Sequence, residues 1–528
     1  MHKVISIQRN SSRVRRLLMT AGLAAAALVS SLPAGPPARA AATAAPVPPR
    51  PTTAAETRTA AWLEAHGEGE GAAARFFRDL PKGGDLHNHL SGAVRTEYLV
   101  QLAADDGLCI DATLTAVAPP CGPGTRPAAD ALTDAGFRQA VIRAWSMQDF
   151  PQGESGHDHF FATFGKFGAA TSHTGKLLAD VAGTAAVQNQ TYLETMVTPV
   201  GAATRELATE VGWDPDLAAL HRKLLAGGQL DQLVTAAEQE SDAADAEFRE
   251  TARCGSSRPG PGCRVTVRRI FQVLRNNAPE YVFTQIALGL RLAERDRRFL
   301  AVNLVQPEDA KISLRDYRLH MRMLDYLHTV YPRAHITLHA GELVPGLVKP
   351  EDLTFHINDA VRTGQAERIG HGVDLVHEDD WRRLARDMAR RQIAVEVPLT
   401  SNAQILQVEG REHPFPVYRA YGVPVVLATD DPGVSRTDIS HEYRRAARTY
   451  GLGYPELKDL ARASLEYAFL PGRSLWRPDP VRRGFRLVEE CRVLESARCA
   501  RLLADSPKAR LEARQERSFR AFEARYVG

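Results

Sequence analysis

PKGGDLHNHLSGA, residues 81–93, sets the reading of this chain. His87 and His89 stand two apart, and on an extended strand residues at that spacing point to one face. Together they are half of a metal site. The remainder follows in order along the chain as His339-Ala-Gly-Glu342, Gly370-His371-Gly372 and Thr429-Asp430-Asp431-Pro432.

The strand carrying the histidine pair, around 82–89, is the first of eight short apolar or β-branched runs. The others lie near 191–198 (TYLETMVT), 265–273, 299–305 (FLAVNLV), 335–339, 367–371, 393–398 and 424–430. Stretches of helical period such as Tyr317–Val330 and Asp379–Arg391 separate most of them. Repeated strand-helix units of this count predict an α/β fold, a (β/α)8 TIM barrel with helical insertions. His89, His339, His371 and Asp430 each fall at the C-terminal end of an expected strand, the face on which such barrels build their active sites.

Two insertions interrupt the repeat, one of about a hundred residues after the first strand and one over 200–262. The first contains His157-Asp-His159-Phe160-Phe161-Ala-Thr-Phe164, read as a helix with an aromatic face, either a lid over the barrel mouth or a satellite hydrophobic cluster. Its histidines repeat the H-x-H spacing, but two residues apart on a helix do not share a face, so they are not expected as ligands.

Composition is that of an ordinary soluble globular protein: 528 residues, 44% hydrophobic and 24% charged. The first forty residues differ. Arg13, Arg15 and Arg16 precede an apolar run from Leu17 to Leu32, and Ala38-Arg39-Ala40 matches a secretory cleavage site. Residues 1–40 are therefore expected to be a removed signal peptide, leaving by the general or the twin-arginine route, and not a stable membrane anchor. They contain six of the Lys/Arg and no Asp/Glu, so the rest carries 60 basic against 63 acidic residues. No basic stripe with interleaved aromatics remains, which argues against a nucleic-acid polymer as partner.

Residues 41–61 read as a flexible Ala/Pro/Thr-rich leader, 62–475 as the barrel, and 476–528 as a C-terminal helical extension. The six cysteines fall into three local pairs, Cys109/Cys121, Cys254/Cys263 and Cys491/Cys499, expected as disulfides in an exported protein. No nucleotide cofactor is expected in the absence of a phosphate-binding loop, and nothing in the sequence bears on oligomeric state.

A catalytic zinc takes His nitrogens and carboxylate oxygens and keeps a position for water. His87, His89, His339 and Asp430, from the ends of different strands, suit that set. Glu342, three residues past His339, is within reach as a proton donor, and His371 can orient or deprotonate water.

The motifs PKGGDLHNHLSGA, TLHAGE, ERIGHG, EVPLTSN, ATDDP and ASLEYAFLPGRSL occur in the order found in adenosine deaminases of the amidohydrolase superfamily, and residues 80–475 resemble that family. The resemblance implies one zinc ion and hydrolysis of a purine nucleoside, adenosine to inosine and ammonia. It implies His87, His89, His339 and Asp430 as zinc ligands, Glu342 as the acid for purine N1, His371 as the group positioning the attacking hydroxide, and Asp431 as the residue meeting N7. Ser91 stands where these enzymes commonly carry Asp, and Ala301 where a Gly-x-Asp-Leu run begins. Both are expected on the substrate side, with Phe161 and Phe164 from the lid. Met196 replaces an Arg after Tyr-Leu-Glu, and Pro398-Leu399 replaces Cys-Pro. Two other readings stand beside it: a zinc amidohydrolase for a different aminopurine or an amide, and a secreted non-catalytic binding protein on the same scaffold.

Overall fold

Eight parallel strands follow one another around a single sheet in chain order: β1 (Gly83–His89), β2 (Gln190–Val197), β3 (Thr266–Leu274), β4 (Phe299–Val305), β5 (His335–Ala340), β6 (Arg368–His371), β7 (Ala394–Val397) and β8 (Val425–Leu427). Strands such as FLAVNLV and AVEV are apolar almost throughout because helices cover the outside while side chains fill the inside. The computed structural model describes residues 52–67, 69–151 and 153–526. The expected signal segment and most of the leader lie outside them.

The ring closes between β1 and the segment after β8. Asp430 N donates to His87 O at 2.9 Å, and His89 N donates to Asp430 O at 3.0 Å. β1 carries a bulge, for Asp85 pairs with Leu193 and Asn88 with Thr195, three steps against two. Asp85 serves both sides of the irregularity: Oδ1 accepts the His87 N–H at 3.2 Å and Oδ2 accepts the Thr429 hydroxyl at 2.5 Å.

The strands coincide with the eight runs read from the sequence, although the one expected over 424–430 spans only Val425–Leu427. Asp430 leaves extended geometry with φ of 60°, as does His371 with φ of 65°. Both residues turn the chain out of the barrel in the left-handed region that non-glycine residues rarely occupy.

The first insertion contains a small antiparallel sheet, Cys109–Asp111 with Ala116–Val117 and Thr125–Pro127, and the second is helical, Gly201–Val211, Leu217–Leu225 and Gln229–Thr251. All three expected cysteine pairs are disulfides. Among the described residues no helix is long and apolar enough to cross a membrane.

The leader expected over 41–61 needs correction, because a helix already runs over Ala54–His66. Thr53 and Glu56 form a reciprocal capping box at its start. Trp62 stacks on Phe76 at 5.6 Å and meets Tyr526 at 4.8 Å, so this helix docks onto the C-terminal extension. The extension, with helices Ala497–Asp505 and Pro507–Glu523, underlies the N-terminal end of β1, where Gln515 Nε2 donates to Ala461 O at 2.8 Å and Pro81 O at 3.3 Å.

Lys458 joins both chain ends to the barrel, its buried ammonium 2.9 Å from Glu56 and 2.6 Å from Glu523. Lys458→Ala takes the cation from two buried carboxylates and is expected to cost ~3–5 kcal/mol. Denaturant unfolding of the two proteins measures it; a loss below about 1 kcal/mol would contradict this role.

Candidate metal centre

Three histidines are each held through Nδ1 by an oxygen that can only accept. His87 Nδ1 lies 2.6 Å from Glu396 Oε2, His89 Nδ1 2.7 Å from Gln272 Oε1 and His339 Nδ1 2.9 Å from Asn303 Oδ1. Each ring therefore carries its proton on Nδ1 and presents a lone pair at Nε2. Those lone pairs converge: His89 Nε2 and His339 Nε2 are 3.2 Å apart, and Asp430 Oδ1 is 3.2 Å from His89 Nε2 and 3.4 Å from His87 Nε2. His87 Nε2 is buried without a hydrogen-bond partner.

Electron pairs brought this close repel unless a cation lies among them. Burial opposes charge on His87, yet Asp430 and Glu396 on its two sides raise its pKa to about 10. The position thus draws in positive charge. A proton on His87 would leave the other donors unserved, and His339 is kept neutral by burial and by the neighbouring histidines. A divalent ion satisfies all four groups, whose ligand atoms lie within 4.8 Å of one another. Three imidazole nitrogens and one carboxylate oxygen are a donor set for a borderline transition-metal ion with room for a further ligand.

Asp430 is oriented by the Ser401 hydroxyl, which donates to Oδ2 at 2.6 Å. Burial would raise its pKa, but the facing imidazoles of His87 and His89 hold it well below the usual carboxylate range.

Glu342, His371 and Asp430 form a second close group. Burial, and then the charge of Asp430, push the Glu342 carboxyl up to about 8, so it is an acid at neutral pH. His371 Nδ1 is 2.8 Å from Asn402 Oδ1 and 3.6 Å from Glu342 Oε1, and its Nε2 is buried without a partner. Burial lowers its pKa to about 4. Asp431 is buried beside them with Oδ1 unpartnered, and burial, with the Asp430 charge acting against the pull of His89, raises its carboxyl well above the usual carboxylate range. A Cβ on Gly92 would come within 1.8 Å of that oxygen, so only glycine fits there.

The helix Gly156–Phe167 meets two of the loops that follow barrel strands: a Cβ on Gly156 would touch Gln404 O beyond β7, while His157 Nε2 lies 3.0 Å from Asp309 beyond β4. It carries Phe161 and Phe164, both partly buried. His157 and His159 belong to its anchoring, His159 Nε2 lying 2.9 Å from Ser146 O, and neither joins the metal group. Ser91, on the short helix Leu90–Ala93, lines a side cavity of about 210 Å³ with Thr198 and Gln272.

Ala301 is not brought to the site. It pairs with His335 at the start of β5 and packs with Met196, Ile270 and Phe469. Four residues separate that level from His339, roughly 13 Å along a strand. Glu396, Gln272 and Asn303 were missed in the sequence, although a lone polar residue in an apolar strand, as in AVEV and FLAVNLV, signals a buried partner.

The parallel barrel thus brings three histidines and one aspartate together at its strand ends, as the family resemblance implies. The chain belongs to the adenosine deaminase family, whose model matches residues 168–475. An adenosine deaminase from Escherichia coli (strain SMS-3-5 / SECEC) is 40% identical over 137 residues, 26% of this chain and 38% of that one. The match thus spans well under half of that relative. Among solved structures, the apo N6-methyl-AMP deaminase from Arabidopsis thaliana superposes with a TM-score of 0.51 at 21% identity, covering 75% of this chain and 94% of that one. Arabidopsis ADAL complexed with IMP gives 0.50 at 21% identity, over 78% and 96%. These two share the fold.

Gln272→Ala leaves all four candidate ligands in place and frees the His89 ring, and it also removes a contact to the Thr198 hydroxyl. Metal affinity, read by competition with a chelator, is expected to fall ~10–100-fold while the fold persists. Unchanged affinity would exclude Gln272 as the group that orients His89.

Proposed function

We propose that this protein is a zinc-dependent deaminase that hydrolyses adenosine, and 2′-deoxyadenosine, at C6, consuming water and releasing the 6-oxopurine nucleoside and ammonia. His87, His89, His339 and Asp430 hold the zinc, which when bound acidifies water enough for hydroxide to form near neutral pH.

The observation that carries this reading is the buried Glu342 carboxyl lying in one close group with Asp430 and His371, where burial pushes it up to about 8. Purine N1 is basic and unprotonated at neutral pH; a proton delivered to it from Glu342 draws electron density from C6 and opens that carbon to attack. His371 stands across from Glu342 and fixes the direction of approach with its Nε2. N7 of the purine is an acceptor and requires a donor, a role Asp431 fills when its carboxyl carries a proton. Phe161 and Phe164 cover the base from the lid. The cavity beside Ser91 is lined by Thr171, Thr174 and Thr198, hydroxyls suited to a sugar.

Residues 1–40 direct export, in keeping with three disulfides in the folded chain. The mature protein collected from culture medium is expected to begin at Ala41, by N-terminal sequencing; retention of Met1 would oppose this.

Ammonia release from adenosine, 2′-deoxyadenosine, adenine and AMP, measured side by side, tests the activity. Turnover of the two nucleosides is expected, lost on metal removal and restored by zinc. Glu342→Gln should keep its metal and lose roughly 10²–10⁴ in kcat. Absence of ammonia from every purine would exclude a deaminase and favour the amide-hydrolysing reading.

A further inference from the structure

The segment bearing Glu342 leaves the sheet at Ala340 and has no strand to pair with. Its two successive amides, of Gly341 and Glu342, would be buried without acceptors. One side chain takes both: Glu308 Oε1 accepts from Gly341 N at 3.1 Å, and Oε2 accepts from Glu342 N at 2.9 Å. Glu308 comes from the loop after β4, so the acid's backbone is referenced to a neighbouring strand end. Gly341 has φ of +76° and a Cβ there would lie 2.4 Å from Asp374 Oδ1, which confines the segment from its other side.

Glu308 is anchored in turn. His356 Nδ1 donates to Oε1 at 2.5 Å, and the Arg275 guanidinium stands 3.9 Å from Oε2. Arg275 and Glu308 are both fully or almost fully buried. Arg275 also reaches the other functional element: Nη1 donates to His339 O at 3.0 Å, and Nε to Gln306 O at 2.9 Å. An oppositely charged pair therefore grips the carbonyl of a metal-ligating residue with one member and the amides of the acid segment with the other.

We propose that Arg275 and Glu308 are positioning residues that fix the carboxyl of Glu342 relative to the metal ligand His339, setting the distance between proton donor and metal. The inference rests on the reading of Glu342 as the acid. Burial alone would raise the Glu308 carboxyl, but His356 and Arg275 hold it at about 2, so it accepts hydrogen bonds as a full anion. Charge-assisted bonds from two adjacent amides are stiffer than neutral ones, which suits a group whose displacement by ~1 Å can cost 10²-fold in rate. A filler of purely structural value would need neither the charge nor the second amide.

Two measurements on the full chain with its metal test this. In the first, Glu308→Ala and Glu342→Gln form a double-mutant cycle on adenosine turnover. Glu308→Ala is expected to lower kcat on the order of 10²-fold with KM changed less than about threefold, and to lower it less than about threefold further when Glu342 is already Gln. Equal losses in both backgrounds, or a change carried by KM, would overturn the proposal.

In the second, amide hydrogen exchange at Gly341 and Glu342 is expected to rise at least about tenfold in Glu308→Ala, while Ile336–Leu338 in β5 stay protected. Unchanged exchange at those two amides overturns it as well. Glu308→Gln, which keeps the volume and one oxygen, serves where the alanine variant does not fold and should show a smaller effect in both assays. If the wild-type chain releases no ammonia while Glu308→Ala shows the exchange response, the deaminase reading is refuted and the clasp stands. An active chain with an additive cycle does the reverse.

Discussion

The barrel closes at Asp430, and so does the metal centre. Its backbone makes the two hydrogen bonds that join the end of β8 to β1, and its carboxylate faces the Nε2 atoms of both β1 histidines. One residue, held at φ of 60°, thus completes the sheet and the ligand set together. A ring of eight strands has no edge once closed, but closure depends on its shortest strand, Val425–Leu427. Convergent lone pairs and a carboxylate at that seam repel or attract according to what lies among them. A cation bound there would fasten the fold as well as serve the site.

Beneath the seam, charge is paired in layers. Glu396 accepts from His87 on one side and from Arg368 Nε at 2.5 Å on the other; Arg368 continues to Glu194 at 2.6 Å and lies over the Phe469 ring at 3.7 Å. This chain of buried ions runs from the barrel floor, formed by the segment leading into the C-terminal extension, to His87 of the candidate metal centre. Burying four such groups is unfavourable unless each is paired. Here every member has a partner, so the arrangement holds the His87 ring in one tautomer and one orientation. The Arg275–Glu308–His356 set does the equivalent for the loop that bears Glu342.

The strands were legible because a parallel strand buried on both faces must be an apolar run, and eight such runs recur along the chain. The ligands were legible because His87, His89, His339 and Asp430 sit at the ends of those runs. What escaped was depth and partnership. Ala301 has a motif-like position in β4, but the sequence does not say at which level of the barrel it lies. Register against His335 puts it far below the centre. Glu396, Gln272, Glu308 and Arg275 meet their partners through pairings between distant segments; a lone polar residue in an apolar strand signals that a partner exists but not which one. The N-terminal helix carried its own signal in Thr53-Ala-Ala-Glu56, overridden by the Ala/Pro/Thr bias of the preceding residues.

If fold closure and metal capture are one event, added zinc must stabilise the folded chain. Unfolding of the metal-stripped protein, followed by denaturant titration at increasing free zinc, measures this directly. The expected gain is ~4 kcal/mol at a thousandfold excess over the dissociation constant, and Asp430→Asn should remove most of it. Indifference of the unfolding midpoint to zinc, or an equal gain in Asp430→Asn, would contradict a metal centre at the barrel seam.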